Sequence, residues 1–452
     1  MRKPVCLLLL LLIAILPILL GTATPMKMTD AREKKAVIRI ETEPNLEIHE
    51  GYVSQKDETV LVKQGRKTIA KVHLSEPVMV AQAEQEEKWG YFQFPNIGMA
   101  DDGTIVVSWQ MKEDSPSTYG KQSARSNKPM MSKDGGKTWL PQDKNYDLRR
   151  YGNYIKLKDG TVLQTTTPAS TNVKTLTKST RSVGSKKRYS YYVVEDLPED
   201  LQGAYISSRL DGRSELVHSK VHDPGLLRSS YDGLISAMWK GNIRQLADGS
   251  LVAGVYPTIY RNENGEVMPG GVSFYRSLDK GYSWEVIGKI PFVNDGIAEQ
   301  RGGIAFDEPT FEILSDSTFL CVMRTGPASP MYKSLSYDRG YTWTKTEPFT
   351  PNGVKPCLMK LSNGVVVLVS GRPGVQLRFN IDGTGQTWTD PIDMVPFMNE
   401  DGSYTRDVSC GYVSIIDAGD DCFYMVYSDF TTKDKSGNTR KSIWCRKVKV
   451  NK

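Results

Sequence analysis

The chain has few of the residues from which most metal and cofactor sites are built. Its 452 residues include only 6 cysteines and 4 histidines, and none of these form a cluster with the spacing of a zinc site. No glycine-rich phosphate loop opens a helix, so there is no nucleotide or flavin motif. The sequence therefore predicts no metal and no cofactor.

Cysteine pairing and strong net charge are also lacking. Five cysteines, from Cys321 to Cys445, lie in the last third of the chain, several within apolar runs. A free cysteine in such a run behaves as a small hydrophobe, so a disulfide framework is not expected.

The formal net charge of +6 is modest for this length and predicts no nucleic-acid partner. One basic run, 174–188, is rich in serine and threonine; it favours a solvated loop, with polyanion binding as the alternative.

Long apolar runs are confined to the N-terminus. Residues 1–24 begin with Arg2 and Lys3, continue as an apolar stretch over 5–20 and end in GTAT, which is typical of a cleaved signal peptide. An uncleaved membrane anchor is the rival interpretation, but spanning a membrane needs about 20 apolar residues. We therefore expect a secreted or periplasmic protein with no stable membrane insertion after cleavage.

An eight-residue motif, S-x-D-x-G-x-T-W, is repeated along the chain. It is found as SKDGGKTW at 132–139, SLDKGYSW at 277–284, SYDRGYTW at 336–343 and, in a longer form, NIDGTGQTW at 380–388. Asp and Ser or Asn side chains bond the backbone of a tight turn, glycine supplies a positive φ, and tryptophan packs between neighbouring sheets. This motif, the Asp box, predicts structural hairpins rather than catalytic residues.

A second repeat consists of an apolar strand, a polar turn and a β-branched strand. Its six turns are centred on Asp102, Asp159, Asp248, Asp316, Asn363 and Asp420. Each is predicted to be a β-hairpin. An Asp box follows the first, third, fourth and fifth of them, as expected if it forms the outer hairpin of the same sheet.

The spacing of the two repeats predicts the fold. The six turns are 57, 89, 68, 47 and 57 residues apart, which suits an all-β, six-bladed β-propeller of four-stranded antiparallel blades with Asp-box hairpins. We expect the propeller to span 86–452, after a lead-in or small cap at 25–85. Either 36–40 or 60–80 is expected to close the ring beside 442–450. The 89-residue gap predicts an insertion in the second blade that shapes the pocket rim.

Inner strands of a propeller converge on its axis, so the residues at one end of these strands are candidates for a site. This position is occupied by Gln93 in the first blade, Glu308 and Arg324 in the fourth, Arg372 in the fifth, and Tyr412 and Asp429 in the sixth.

These residues also carry a resemblance to the exo-sialidase family of glycoside hydrolases. The stretch DEPTFEILSDSTFLCVMRT relates Glu308 to Arg324, SGRPGVQLRFNIDGTGQTW contains Arg372, and GYVSII contains Tyr412. The resemblance implies a retaining mechanism in which Tyr412 is the nucleophile and Glu308 its general base. It also implies arginines that clamp a substrate carboxylate. Asp307 and Asp429 are further candidates for contacts with the sugar.

The sequence departs from the pattern of that family at three places. Gln93, in FQFP, stands where the family has its first arginine, and Ser428 stands where the glutamate partner of that arginine is expected. The stretch 121–125 has no acid at the place of the catalytic aspartate. The proton donor is therefore Asp114, our first candidate, or Glu113, or it is absent.

The leading hypothesis is an exported sialidase-like glycosidase that removes a terminal acidic sugar, sialic acid or a related one, from a glycan. One alternative is a catalytically silent glycan-binding propeller. Another is a hydrolase or lyase that acts on a uronic or neutral sugar on the same scaffold. In the structural alternative, Glu308 and Arg324 form an ion pair that lines the channel and Tyr412 is a core aromatic residue.

Overall fold

The computed structural model describes residues 38–42, 46–47, 52–118, 128–177, 182–397, 405 and 407–452. In these ranges the chain is all-β, and its helices are single 3-10 turns. The turns are Pro116–Thr118, Val173–Thr175, Val194–Asp196, Glu199–Leu201 and Glu299–Arg301. None of the described helices has the length and apolar character needed to cross a membrane. The predicted signal peptide, 1–24, lies outside the described residues.

The first five strands of the described residues belong to the same sheet as the C-terminal strands. They are β1 (Ile38–Thr42), β2 (Leu46–Glu47), β3 (Glu58–Gln64), β4 (Lys67–Leu74) and β5 (Val78–Gln82). β1 pairs with β3, which pairs with β4.

A four-stranded antiparallel sheet follows, and the next nine strands are divided between two sheets. The first sheet consists of β6 (Tyr91–Met99), β7 (Ile105–Met111), β8 (Met130–Ser132) and β9 (Leu140–Pro141). The second unit consists of β10 (Tyr154–Lys156), β11 (Val162–Thr166), β15 (Ala204–Leu210) and β16 (Arg213–His222). A five-stranded insertion sheet is made of β12 (Thr171–Asn172), β13 (Gly184–Lys186), β14 (Tyr189–Val193), β17 (Leu227–Tyr231) and β18 (Leu234–Ile235). The insertion therefore falls in the gap where the sequence predicts it.

Three more four-stranded antiparallel units follow in chain order. They are β19 (Lys240–Gln245), β20 (Leu251–Thr258), β21 (Gly271–Ser277) and β22 (Ser283–Ile290); then β23 (Asp307–Ile313), β24 (Phe319–Arg324), β25 (Met331–Ser336) and β26 (Glu347–Thr350); then β27 (Val354–Lys360), β28 (Val366–Gly371), β29 (Val375–Asn380) and β30 (Ile392–Asp393). A short parallel pairing of β16 with β22 joins the second and third units into an eight-stranded sheet.

The last three strands join the N-terminal strands in one sheet. β31 (Ser414–Gly419), β32 (Cys422–Asp429) and β33 (Ser442–Asn451) are antiparallel neighbours. The other edge of β33 pairs with β4 along Val448–Asn451 and with β5 along Ser442–Cys445. Arg446, 1% exposed, donates hydrogen bonds to the carbonyls of Ser54, Lys56 and Ser75. The N-terminal segment is therefore fastened to the last strand by a buried cation as well as by backbone pairing.

Both repeats form the hairpins predicted for them. The six polar turns join β6–β7, β10–β11, β19–β20, β23–β24, β27–β28 and β31–β32. The four Asp boxes join the third and fourth strands of their sheets. In the first box, the Ser132 hydroxyl accepts from Gly136 N (2.8 Å) and Asp134 accepts from Thr138 N (3.0 Å). The hairpin predictions are confirmed, and the all-β architecture of four-stranded sheets is consistent with a propeller.

The core lies between consecutive sheets. Phe274 of the third unit packs edge to face against Phe311 of the fourth, and stacks on Trp343 of an Asp box at 4.2 Å. Leu320 and Leu368 belong to a second cluster between the fourth and fifth units. The first strands of these neighbouring units also lie in contact, β19 with β23 and β23 with β27.

Candidate active site

Tyr412 and Glu308 are in direct contact, although 104 residues separate them. The Tyr412 hydroxyl donates a hydrogen bond to Glu308 Oε1. Tyr412 is half-buried, and Glu308 is 6% exposed. The pair thus brings a phenol against a carboxylate that is largely shielded from solvent.

The second oxygen of Glu308 is held by two further donors. Arg324 Nη1 donates to Glu308 Oε2 at 3.0 Å, and the backbone N–H of Lys355 donates to the same oxygen at 3.0 Å. The pairing of β23 with β24 places Asp307 opposite Arg324, so that the arginine and the glutamate come from adjacent strands. Buried carboxylates are stable when they are hydrogen-bonded and paired in this way. Glu308 is therefore fixed in position.

Backbone irregularities turn these groups toward one another. Glu308 has φ 44° and Lys355 has φ 46°, values that are uncommon for residues other than glycine. Each falls where the register of its inner strand shifts, between Asp307 and Thr310 in β23 and between Val354 and Cys357 in β27. A bulge at the same end of both strands thus aims the carboxylate and the amide at each other.

A short loop presents Tyr412. Ser428 Oγ accepts from Cys410 N at 3.1 Å and lies 3.1 Å from Ser409 Oγ, which in turn accepts from Gly411 N at 3.0 Å. Ser428 is the residue at the place of the glutamate expected from the resemblance. Here it is fully buried and fixes the loop that carries the tyrosine.

Arg372 lies beside the pair because two glycines touch. A Cβ on Gly371 would come within 1.9 Å of the Gly411 carbonyl oxygen, so the backbones of the two segments are in contact. Burial, and then the charge of Arg324, lower the pKa of Arg372, while Glu308 opposes this shift. The guanidinium of Arg372 lies 5.8 Å from the centre of the Trp89 ring. Two arginines therefore place concentrated positive charge next to Tyr412 and Glu308.

Asp114 reaches the same region through aromatic residues. Trp89 Nε1 donates to Asp114 Oδ2 at 3.4 Å, and Trp89 packs edge to face on Phe94, which packs edge to face on Tyr412 at 4.7 Å. A Cβ on Gly90 would lie 2.3 Å from the Lys112 carbonyl oxygen, so only glycine lets the segment before β6 approach the turn that contains Asp114. Asp114 and Glu113 are both exposed.

The remaining candidates are placed differently. Asp307 is half-buried next to Glu308; burial and then the charge of Glu308 raise its pKa to about 6. Gln93 is fully buried, and both polar atoms of its side chain lack hydrogen-bond partners. Asp429, the last residue of β32, accepts hydrogen bonds from the backbone N–H and the hydroxyl of Thr431, each at 2.7 Å. The structure thus gathers Tyr412, Glu308, Arg324, Arg372 and Asp307, brings Asp114 near them, and gives Gln93 and Asp429 other surroundings.

Four residues of this region are absent from the sequence-based set. Trp89, Phe94 and Lys355 make the contacts above. Burial, and then the charge of Lys355, lower the pKa of Lys240, the first residue of β19, while the charges of Glu308 and Asp114 oppose this shift. The place of Lys240 at the start of an inner strand is the same signal that identified Glu308. No group of three or more His, Cys, Asp or Glu side chains that could hold a metal is found among the described residues.

Comparison with known proteins identifies similar folds. No protein-family model matches the sequence, and no curated protein matches it either. A protein of unknown function from Dyadobacter fermentans DSM 18053 has a similar structure, with a TM-score of 0.57, 16% identity and coverage of 84% of this chain and 99% of that one. The Hadza microbial sialidase Hz136 is also similar, with a TM-score of 0.48, 14% identity and coverage of 88% of this chain and 74% of the sialidase. The GH93 α-L-arabinofuranosidase of Fusarium graminearum scores 0.45, with 14% identity and coverage of 82% and 97%. At these identities the likeness concerns the fold.

Proposed function

We propose that this chain is an exported glycoside hydrolase that removes a terminal acidic sugar from a glycan by a retaining mechanism. The observation that carries the proposal is the hydrogen bond from the Tyr412 hydroxyl to Glu308. A phenol has an ordinary pKa of about 10 and becomes a nucleophile when a carboxylate takes its proton. Arg324 and Lys355 N donate hydrogen bonds to one oxygen of Glu308, and this leaves the other oxygen to accept the proton of Tyr412.

The reaction has two steps. The Tyr412 oxygen attacks the anomeric carbon while its proton passes to Glu308, and the glycosidic bond breaks as the leaving oxygen takes a proton from Asp114. Water then attacks the glycosyl–tyrosine, Asp114 accepts its proton, and Glu308 returns a proton to the phenolate. A neutral nucleophile suits an anomeric centre that bears a carboxylate, because a second carboxylate would be repelled. Arg324 and Arg372 supply the positive charge that such a substrate needs.

Two features of the wider molecule belong to the same proposal. The three separate four-stranded sheets, the two halves of the eight-stranded sheet and the β31–β33 sheet with its N-terminal partners make six units, and we propose that each is a propeller blade. We also propose that residues 1–24 act as a cleaved export signal. Both agree with a secreted or periplasmic glycan-processing enzyme.

The test is a screen of acidic oligosaccharides and aryl glycosides for released monosaccharide, with aryl sialosides included. We expect release by the wild-type chain and a loss of at least about 100-fold in Tyr412→Phe and Glu308→Gln, the range for a missing nucleophile or base. Glycan binding without release by the wild type would instead indicate a silent binding protein. An unsaturated product that absorbs in the ultraviolet would indicate a lyase.

A further inference from the structure

A cavity of about 320 Å³ lies between the insertion sheet and the third unit. Its apolar walls include Tyr189 and Tyr231 of the insertion sheet and Trp239 and Pro257 of the third unit, and Asp114 lies on its border. The volume falls within the range of pockets that bind small molecules, roughly 300–1,000 Å³. An aromatic wall with polar groups at its edge is suited to the two chemical faces of a sugar ring.

The aromatic wall is held rigidly. Tyr189 and Tyr231 are opposite each other in the β14–β17 pairing, with ring centres 5.0 Å apart. Arg188 covers Tyr231 at 4.4 Å, and its Nε donates to Asp232 Oδ1 at 2.6 Å. Tyr189 remains 39% exposed. A large aromatic surface is therefore presented to solvent in a fixed orientation.

A buried arginine sets the shape of the cavity. Arg228 is 7% exposed and lines the cavity, and its guanidinium donates to the carbonyls of Met238 and Gly203 at 3.0 Å each. These bonds tie β17 to the segments before β19 and β15. Because these hydrogen bonds hold the cavity walls in place, binding requires little ordering of the protein.

The cavity adjoins the catalytic pair without including it. Asp114 lines it, whereas Tyr412, Glu308, Arg324 and Arg372 are not among its lining residues. Tyr189 is near enough to Asp307, the neighbour of Glu308, for that charge to raise its pKa, after burial and Tyr231. A group that protonates the leaving oxygen must lie at the bond to be cleaved. A cavity beyond Asp114 is therefore on the leaving-group side of that bond.

We infer that this cavity is a subsite for the sugar residue on the leaving-group side of the cleaved bond, with that ring stacked on Tyr189. The inference rests on the proposed function and deepens it. It makes the preferred substrate an oligosaccharide rather than a simple glycoside, and assigns the preference to the insertion sheet.

The test compares two substrates with the same terminal sugar, 3′-sialyllactose and sialyl fluoride. Fluoride is a small leaving group that leaves the cavity empty and needs little acid assistance. In Tyr189→Ala we expect kcat/KM for the trisaccharide to fall about tenfold relative to kcat/KM for the fluoride, the loss of one good aromatic contact. Tyr189→Phe keeps the ring and should restore the wild-type ratio. Tyr337→Ala, at an exposed tyrosine of an Asp box, is the matched control.

An unchanged ratio in Tyr189→Ala would overturn the inference while leaving the proposed function intact. If the wild type cleaves neither substrate, the proposed function fails for sialosides, and the subsite is judged by binding. Calorimetry would then measure 3′-sialyllactose and a glucuronate-terminated disaccharide against Tyr412→Phe and against Tyr412→Phe combined with Tyr189→Ala. Weaker binding in the double variant would support the subsite; equal binding, or none in either, would overturn it.

Discussion

The contact between Gly371 and Gly411 provides a sharp test of how the site is held together. Neither a left-handed φ nor a turn requires glycine at 371; the constraint is the 1.9 Å approach that a Cβ there would make to the Gly411 carbonyl oxygen. Real Cβ atoms essentially never come closer than 3.0 Å to such an atom, so Gly371→Ala must displace the 411 segment by about 1 Å. Tyr412 is the next residue and would move away from Glu308. A misplacement of this size costs about 100-fold in rate, or about 2.7 kcal/mol of activation free energy.

The assay is kcat on whichever substrate the release screen identifies, with circular dichroism and thermal unfolding to verify the fold. Gly270→Ala is the matched control, because its Cβ would meet Ala305 at an ordinary 3.7 Å. In Gly411→Ala the closest contacts are 3.0 Å, to Arg372 and Val354, and φ is +74°. We expect this variant to lose less activity than Gly371→Ala and to be moderately less stable. A folded Gly371→Ala protein with wild-type kcat would refute the argument that this contact positions the nucleophile.

Three further predictions follow from charges at the site and at the closing strand. The raised pKa of Asp307 means that its ionised form is disfavoured in the folded state, so its contribution to stability should be lost as pH rises from about 4 to about 6. Asp307→Asn should remove this pH dependence. In the wild type, the free energy of unfolding measured with urea should be lower at about pH 6 than at about pH 4 by up to about 3 kcal/mol. Arg372→Met should raise KM for an acidic substrate about 10- to 100-fold and leave a neutral glycoside unaffected, as steady-state kinetics would reveal. Arg446→Met should lower the free energy of unfolding by several kcal/mol, because each carbonyl left without its hydrogen bond costs about 1–3 kcal/mol. Lys449→Met, on the exposed face of the same strand, is the control and should leave the free energy of unfolding unchanged.

The parts of the fold that the sequence predicts well are those fixed by local hydrogen bonds. In the turn at Asp159 the carboxylate accepts from Thr161 N at 3.0 Å, only two residues away. The Asp boxes are likewise closed by local hydrogen bonds, such as those from Gly136 N to Ser132 and from Gly385 N to Asn380. Such motifs can be recognised in the amino-acid sequence because the hydrogen-bond donor and acceptor lie in the same short stretch.

The ion pair between Glu308 and Arg324 is predictable for a related reason. The turn at Asp316 sets the register of β23 against β24, and that register places the two residues together. The contact of Tyr412 with Glu308 is different, since it joins segments 104 residues apart. The blade register puts both residues at the same end of the inner strands, and the resemblance to sialidases, which covers both residues, implies that they act together.

Long-range packing explains what the sequence did not indicate. Trp89 reaches Asp114 only because Gly90 closes on the 112–114 turn, and neither segment carries a motif that predicts the contact. The cavity beside Asp114 needs the insertion sheet, whose strands are short and are joined to no repeat. Gln93 lies next to residues of irregular φ, so the ordinary alternation of a strand does not predict that its side chain is buried.

The distribution of backbone strain supports the proposed site independently of the resemblance. Residues other than glycine with positive φ are found in turns throughout the described chain, where tight connections need them. Those inside strands are Phe92, Phe94, Glu308 and Lys355. Phe94 and Glu308 touch Tyr412, and Lys355 touches Glu308. Such conformations cost about 1–3 kcal/mol each and persist where the surroundings over-determine them, which is why they cluster at functional sites. Asp boxes and hairpins alone need only regular strands. The three irregular inner strands that meet at Tyr412 therefore need another explanation, and the proposed roles of Tyr412 and Glu308 supply one.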